Sequence, residues 1–387
     1  MIRVLKPNGT RLSIRKNGAS YIARLFNAIY KTIVSSFKTR VLAAAGTFEA
    51  EDYIKEKLGI FSQSLFNDAS YIITPNGYKT SKVYALKPDN GTGDLGMTRN
   101  TTATRINEYG IREIVSANRV RIDYSKGKPR FLVEPQRTNL VYPSDIATTQ
   151  VRAVTAVLHT LSFYGTGTVT LSGAFSGSLV GTGTNNRVTL SFTPTAGNLT
   201  LTVSGTVTDW QLEVGSRATS LIKTVSGSVT RNADVISKYN IDTLIGQTEG
   251  TILVKGAQFD RGVVFRVRNN NSINVNRLFI FCIGDGGRVE VGVMKNNVTV
   301  STWAYLPMNR VSEKNIIMVY SQNVFKVFIS GYLIYTYNYP TPTDFTSVLN
   351  TFEFGSLTEK GIAAFDMIAL WKTTLTDQQA IQLTTLW

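Results

Sequence analysis

Beyond about residue 70, apolar and polar residues alternate along the chain in short runs that end at Gly, Asn, Thr or Pro. The clearest runs are residues 167–172, 187–192 and 198–203. A two-residue period is typical of strands with one buried face. Turns spaced roughly 8–12 residues apart are typical of a β-sandwich. The pattern therefore predicts a mainly β fold and excludes a helical one for this part of the chain.

A second set of predicted strands follows a junction near residues 237–250. Its seven runs are 250–254, 262–267, 277–283, 289–293, 316–320, 324–329 and 333–337. Seven strands are enough to form a second complete sandwich.

A short helix is predicted to close the chain. Thr376 or Asp377 is a suitable N-cap, and the apolar spacing places Ala380, Leu383 and Trp387 on the inner face.

The first 47 residues differ from the rest in charge. They contain nine Lys and Arg residues and no acid, since the first carboxylate is Glu49, and the whole chain has a net charge of +15. Residues 2–14 predict a hairpin around a Pro-Asn-Gly turn. Apolar residues at steps of three and four predict an amphipathic helix over 20–42, and a second short helix is predicted over 49–66.

We interpret residues 1–70 as an anchor that attaches to a larger assembly. Its apolar stripe would pack on a protein partner while its basic groups face an acidic surface. There are three alternatives for this segment: an amphipathic membrane helix, a solvated surface, and a contact with nucleic-acid phosphates. Nucleic acid is the disfavoured partner. The predicted anchor residues are Arg3, Lys6, Arg11, Arg15, Lys16, Tyr21, Arg24, Leu25, Ile29, Lys31, Ile33, Phe37, Lys38 and Arg40.

Residues that most catalytic sites require are scarce. His159 is the only histidine and Cys282 the only cysteine, which excludes a histidine cluster and an intrachain disulfide. The sequence has no Gly-x-Ser-x-Gly, phosphate-binding or Cys-x-x-Cys motif. We therefore predict no enzymatic activity and no cofactor, and we expect His159 on a strand face.

Two chemical alternatives remain open. Asp89, Asn90 and Asp94 form a loop with oxygen ligands that suit calcium. An acid pair such as Asp285 with Glu290 would suit glycoside cleavage, which keeps a polysaccharide depolymerase as an alternative.

Sugar binding requires exposed aromatic faces. The candidates are Trp303, Tyr305, Tyr332, Tyr335 and Tyr337, and alternation places Tyr335 and Tyr337 on one strand face. Core or subunit-interface packing is the alternative role for these aromatics.

Several strings carry a resemblance, among them 84–95, 98–107 and 122–124 together with the three that follow. Residues 132–140 (Leu-Val-Glu-Pro-Gln-Arg-Thr-Asn-Leu), 210–215 (Trp-Gln-Leu-Glu-Val-Gly) and 229–234 (Val-Thr-Arg-Asn-Ala-Asp) resemble blocks found in phage and prophage structural proteins of the tail-fibre and head-fibre kind. In those proteins the blocks bracket a jelly roll similar to carbohydrate-binding modules. The last 140 or so residues resemble a concanavalin-A/laminin-G-like sandwich, on the hairpin at 327–334 and the strings 365–371 and 375–381.

The polar members of these blocks are candidates for one structural motif. If the blocks pair, Arg105 and Arg231 would meet carboxylates such as Glu134. Bidentate Arg–carboxylate pairs would then pin the ends of the sandwich, with a ligand site as the alternative. The predicted motif residues are Arg105, Glu134, Arg137, Asn139, Arg231 and Asp234.

The charge pattern and the resemblance together predict three parts and a function. The parts are a basic N-terminal anchor over 1–70, a jelly-roll-like sandwich over 71–240 and a concanavalin-A/laminin-G-like sandwich over 245–387. We expect a structural component of a bacteriophage virion (tail, fibre or capsid decoration), assembled in the host cytoplasm and homo-oligomeric. Its partners would be other virion proteins and host surface glycans. A glycan-binding adhesin outside any virion is the alternative. No run of about 18 apolar residues and no secretory signal is present, so no membrane span is expected.

Overall fold

The computed structural model describes residues 2–5, 11–14, 63–79, 82–259, 262–270, 276–283, 288–295, 298–299, 314–342, 344, 348–354 and 363–385. The chain forms two units, Met1–Leu65 and Phe66–Trp387. In the first unit, β1 (Ile2–Leu5) and β2 (Arg11–Ile14) pair as an antiparallel hairpin, which confirms that prediction. Arg3 and Arg11 lie on these strands. The other predicted anchor residues, and the helix predicted over 20–42, lie outside the described residues.

The second unit consists of short antiparallel strands, as the alternation predicts. Helix α1 (Gln63–Asn67) precedes them, at the end of the helix predicted over 49–66. The strands up to residue 139 are β3 (Tyr71–Ile73), β4 (Tyr78–Lys79), β5 (Lys82–Val83), β6 (Gly96–Thr98), β7 (Ala103–Ile106), β8 (Arg112–Val115), β9 (Arg121–Asp123), β10 (Arg130–Val133) and β11 (Arg137–Asn139).

The next strands form a small sandwich of their own. They are β12 (Gln150–Val154), β13 (His159–Gly165), β14 (Thr168–Gly173), β15 (Gly177–Val180), β16 (Gly183–Phe192), β17 (Gly197–Ser204) and β18 (Val207–Val214). Their two sheets have the strand orders β12-β17-β14-β15 and β16-β13-β18. Between them lies an apolar core that includes Leu161, Phe163, Leu201 and the fully buried Trp210.

Strand β19 (Val229–Arg231) pairs with β11, and the strands after it complete a large sandwich. They are β20 (Val235–Tyr239), β21 (Gly250–Phe259), β22 (Gly262–Arg268), β23 (Arg277–Ile283), β24 (Arg288–Lys295), β25 (Val298–Thr299), β26 (Lys314–Tyr320), β27 (Val324–Ile329), β28 (Tyr332–Asn338), β29 (Thr351–Phe354), β30 (Ala363–Phe365) and β31 (Met367–Trp371). One sheet has the order β25-β24-β23-β22-β29-β20-β6. The other has the order β28-β27-β26-β21-β30-β10-β9, with β31 also on β21 and β3 on β31.

The strand pairing differs from the predicted division near residue 240. Strands β3, β6, β9 and β10 come from the predicted first sandwich, yet they belong to the sheets of the large one. For example, Phe131 on β10 pairs with Phe365 on β30, and their rings stack at 4.7 Å. The small sandwich is therefore an insertion between β11 and β19, which pair with each other. The mainly β class and the two sandwiches are confirmed, whereas alternation could not show which distant strands pair.

A second helix, α2 (Asp377–Thr385), packs on β26–β28 near the end of the chain. Thr376 is its N-cap: its Oγ1 accepts from the Gln379 amide at 3.2 Å, and the Gln379 side chain accepts from the Thr376 amide at 2.9 Å. This reciprocal pair is a capping box. Ala380 and Leu383 are buried as predicted, and Trp387 lies outside the described residues. No helix among the described residues is long and apolar enough to cross a membrane.

Candidate functional site

The hairpin of β7 and β8 separates two clefts. Its turn is fixed by Asn107, whose Oδ1 accepts from the amides of Tyr109 at 3.0 Å and Ile111 at 2.9 Å. Gly110 supplies the left-handed conformation at the tip (φ +76°) that such a turn requires. Because side chains alternate along a strand, Arg105 and Ile106 project to opposite faces of the hairpin.

The first cleft, called here the tyrosine cleft, has a volume of about 380 Å³. Tyr109 is 78% exposed and Tyr78 is 42% exposed at this cleft, and Tyr124 packs partly buried against the core beside them. The full lining is Pro75, Asn76, Tyr78, Arg105, Asn107, Glu108, Tyr109, Glu113, Ile122 and Tyr124. Three aromatic side chains thus share one open, polar depression.

Planar polar groups are held rigidly beside these rings. Arg105 donates from Nε to Glu113 Oε1 at 2.5 Å and from Nη1 to the Ile122 carbonyl at 3.0 Å. Asn107 donates from Nδ2 to Glu113 Oε2 at 3.1 Å. Partial burial raises the pKa of Glu113, but the hydrogen bonds from Arg105 and Asn107 outweigh it and hold the pKa below its ordinary value. Glu113 is therefore ionised at neutral pH, and the cleft offers fixed donors and acceptors next to apolar ring faces.

The second cleft, called here the arginine pocket, lies on the other face of the hairpin, against the small sandwich. It has a volume of about 180 Å³. Arg112 forms an ion pair with Asp209 and lies 5.3 Å from the centre of the Tyr164 ring. The full lining is Thr104, Arg105, Ile106, Arg112, Asp123, Ser125, Leu132, Glu134, Tyr164, Arg187, Ala218, Thr219, Ser220 and Leu221.

Behind this pocket lies a fully buried network of ion pairs. Arg121 pairs with both Glu134 (2.7 Å) and Asp234, and Arg231 pairs with Glu134 at 2.7 Å. Arg99 donates to Asp234 at 2.7 Å. The network joins β9 to the segments that enter and leave the small sandwich.

The electrostatics of Glu134 follow from these contacts. Burial by itself raises the pKa of Glu134, but the charges of Arg231 and Arg121 and the hydrogen bonds from Ser220 outweigh it and hold the pKa at about 2. The Ser220 amide and hydroxyl donate to the two carboxylate oxygens at 2.7 and 2.6 Å. Glu134 is therefore a structural group that is charged at neutral pH, as expected for a carboxylate with several charged and neutral donors.

The structure brings together three of the six predicted motif residues, Glu134, Arg231 and Asp234. Arg105 pairs with Glu113 instead, which lies directly opposite it in the β7–β8 hairpin. Arg137 and Asn139 flank the network. Arg137 Nε lies 3.8 Å from Glu213, and Asn139 donates to the carbonyls of Trp210 (3.2 Å) and Ile222 (3.0 Å).

Two buried members of the network, Arg99 and Arg121, were not predicted. Arg121 lies between the apolar Val120 and Ile122 in an alternating run. An arginine within such a strand could have indicated a buried ion pair. Nothing in the sequence near Arg99 distinguishes it from a surface residue.

The aromatic residues predicted for sugar binding lie elsewhere. Tyr332 is 71% exposed at the turn between β27 and β28. Tyr335 and Tyr337 pair with Val327 and Phe325, which are buried, so the face they share is the inner one. Trp303 and Tyr305 lie outside the described residues. The sequence argument missed the tyrosine cleft because its rings come from three separate segments.

The remaining candidates take structural positions. His159 is buried on β13, its Nδ1 lies 2.7 Å from the Val157 carbonyl, and burial lowers the pKa of its imidazole. Asp94 Oδ1 accepts from the Ala85 amide, and Asn90 Oδ1 accepts from Thr92. Within the described ranges no group of three or more His, Cys, Asp or Glu side chains could hold a metal ion. Asp285 lies outside these ranges, and Glu290 is described only as part of the β24 backbone.

No protein-family model matches the chain, and no curated protein sequence matches it. Solved structures with partial similarity include the CBM40 domain of the Ruminococcus gnavus IT-sialidase, at 17% identity over 38% of this chain and 91% of that one, with a TM-score of 0.31. Domain 4 of AbnA, an extracellular arabinanase from Geobacillus stearothermophilus, matches at 14% identity over 44% and 83% of the two chains, with a TM-score of 0.31. A SAP-like pentraxin from Limulus polyphemus matches at 14% identity over 34% and 68%, with a TM-score of 0.29. Each likeness covers less than half of this chain.

Proposed function

We propose that this protein is a non-enzymatic carbohydrate-binding protein and that the tyrosine cleft holds a sugar. One observation carries the proposal. The exposed rings of Tyr109 and Tyr78 lie in the same cleft as the rigid Arg105–Glu113–Asn107 group. An open cleft with a few fixed polar groups is the expected form of a small-molecule site.

The chemistry of the cleft matches that of a pyranose. A sugar has one face of C–H groups, which packs on an aromatic ring, and a rim of hydroxyls, which both donate and accept hydrogen bonds. Tyr109, at the hairpin tip, supplies a ring face. Glu113 supplies carboxylate lone pairs, and Arg105 and Asn107 supply N–H groups already oriented by their mutual contacts.

The proposal includes no catalytic step. Glu113 is already engaged by two donors that lower its pKa, so it is poorly suited to give up a proton as a general acid. The cleft is therefore assigned to recognition.

A glycan array with the full chain tests this proposal. We expect binding to a restricted set of glycans and, for the best of them, a loss of roughly tenfold in affinity on Tyr109→Ala. Tyr239→Ala is the matched control, since Tyr239 is 48% exposed and does not line the cleft. An array without binding, or equal binding by the Tyr109→Ala protein, would contradict the proposal.

A second proposal rests on the charge of the N-terminal segment. We propose that residues 1–47, with nine basic residues and no acid, attach the protein to a phage particle in which it is a structural component, while the sandwiches face outward. Deletion of residues 1–47 is expected to leave soluble, folded sandwiches that no longer join particles. Normal incorporation of the shortened protein would refute the attachment role.

A further inference from the structure

Arg187 differs from the other arginines around the arginine pocket. It lies on β16, and its guanidinium donates from Nη1 to the Thr219 carbonyl at 2.6 Å and from Nη2 to Ser162 Oγ at 2.8 Å. Both acceptors are neutral. Among the described residues, no carboxylate forms an ion pair with Arg187. Its buried Nε has no hydrogen-bond partner, a feature that it shares with Arg121 and Arg231.

The carboxylates nearest to Arg187 are engaged elsewhere. Glu213 accepts from the Thr219 amide at 2.7 Å and from Gln211 at 2.6 Å. Glu134 is held by Arg121 and Arg231. Desolvation lowers the pKa of Arg187, and the nearby charges of Glu213 and Glu134 offset this only in part. A partly buried cation without an ion-pair partner of its own favours an anion from outside.

The surroundings of Arg187 form a built site open to solvent. The guanidinium lines the arginine pocket together with Arg112 and Tyr164. Arg112 is partly exposed and already neutralised by Asp209, so it adds hydrogen-bond donors more than net charge. The volume of about 180 Å³ is smaller than the roughly 300 Å³ of pockets that hold drug-sized ligands, so it suits one ring or a smaller group.

The charge of the pocket wall selects among anions. Asp123 and Glu134 also line it, and two carboxylates oppose a multiply charged anion. A single guanidinium without an ion-pair partner matches a single negative charge, and its planar fork matches the two oxygens of a carboxylate.

We propose that the arginine pocket binds the carboxylate of a small acidic ligand of monosaccharide size, with Arg187 as the anchoring cation and Arg112 as a second donor. Arg105 borders both clefts, but Arg187, Arg112 and Tyr164 line only the arginine pocket, so this inference does not depend on the sugar-binding role proposed for the tyrosine cleft.

Isothermal titration of the full chain with matched sugars tests this inference. The probes are the methyl glycosides of glucuronic and galacturonic acid, each compared with its glucose or galactose counterpart, which differ only in the carboxylate at C6. We expect at least one acidic sugar to bind roughly tenfold more tightly than its neutral counterpart, and inorganic phosphate to bind less tightly than that sugar. Equal binding of both neutral and acidic members, or preference for phosphate, would overturn the assignment.

Variants identify the anchor. Arg187→Gln is expected to weaken binding of the acidic sugar roughly ten- to a hundredfold, and Arg187→Lys less, because lysine keeps the charge and loses the fork. Arg152→Gln is the control, since it removes one positive charge from the same small sandwich away from the pocket. Circular dichroism verifies that each variant is folded. Retained affinity in both folded Arg187 variants would place the ligand elsewhere. Tyr109→Ala should leave this binding unchanged, which separates the two sites.

Discussion

Arg121 and Arg187 are two arginines near one pocket, yet they differ in burial and in what surrounds them. Arg121 is fully buried and contacts two carboxylates, Asp234 and Glu134, of which Glu134 also reaches the pocket. Arg187 donates to neutral oxygens and borders an open pocket. The contrast teaches that burial of an arginine does not by itself reveal its role. The role of a buried arginine is better indicated by whether the chain itself supplies the carboxylate that pairs with it.

The largest expected effect comes from breaking the closed network. Glu134→Ala leaves the buried guanidiniums of Arg121 and Arg231 with one carboxylate fewer, and removing one partner of a buried pair costs about 3–5 kcal/mol. We expect the free energy of unfolding in urea to fall by an amount in this range. A loss below about 1 kcal/mol would show that the network is no more important than a surface pair.

Acid should weaken the same network in a defined range of pH. The pKa of Glu134 is about 2 in the folded chain, against an ordinary value of 4.5, so its stabilising effect is complete above pH 4.5 or so and is lost as the pH falls toward 2. This difference corresponds to roughly 3 kcal/mol. Urea unfolding between pH 7 and pH 2.5 should therefore show a smaller pH-dependent loss in Glu134→Gln than in the wild type. Identical curves would contradict the assignment of a low pKa to this residue.

Removal of Arg187 should have a much smaller effect on stability. Arg187→Met removes a charge that forms no ion pair, and the two lost hydrogen bonds are offset by the desolvation that is no longer required. We expect the free energy of unfolding to change by less than about 1 kcal/mol. The matched variant is Arg121→Met, for which the loss should be several times larger. Equal losses would remove the distinction between the two arginines.

The smallest effect is expected at the Arg105–Glu113 pair. Its side chains are 23% and 37% exposed, so solvent screens their attraction. Glu113→Gln should cost less than about 1 kcal/mol in thermal or urea unfolding, as exposed ion pairs do. If Glu113→Gln also reduces glycan binding, Glu113 acts in ligand recognition in the tyrosine cleft and not in the stability of the fold.

Local pattern predicted the strands well and their partners poorly. The runs at 167–172, 187–192 and 198–203 are strands β14, β16 and β17 or parts of them. By contrast, β10 pairs with β30, which lies more than two hundred residues away in the sequence. The alternation of apolar and polar residues does not specify which strand is the partner. Arg231 and Glu134 could be predicted to meet because they belong to paired strings. The tyrosine cleft could not, since Tyr78, Tyr109 and Tyr124 come together only through the packing of the large sandwich.

The position of the small sandwich has a consequence for synthesis on the ribosome. Its strands β12–β18 pair only with one another, so this module is complete once residue 214 has left the ribosome. Strands β3 and β10, made earlier, must wait for β31 and β30 near the end of the chain. Since domains fold as they emerge, the inserted module is expected to form first. β10 can pair early with β9, whereas β3 and the other edge of β10 lack β31 and β30 until translation is nearly finished. These unpaired strand edges make the large sandwich the part of the nascent chain most exposed to aggregation during synthesis.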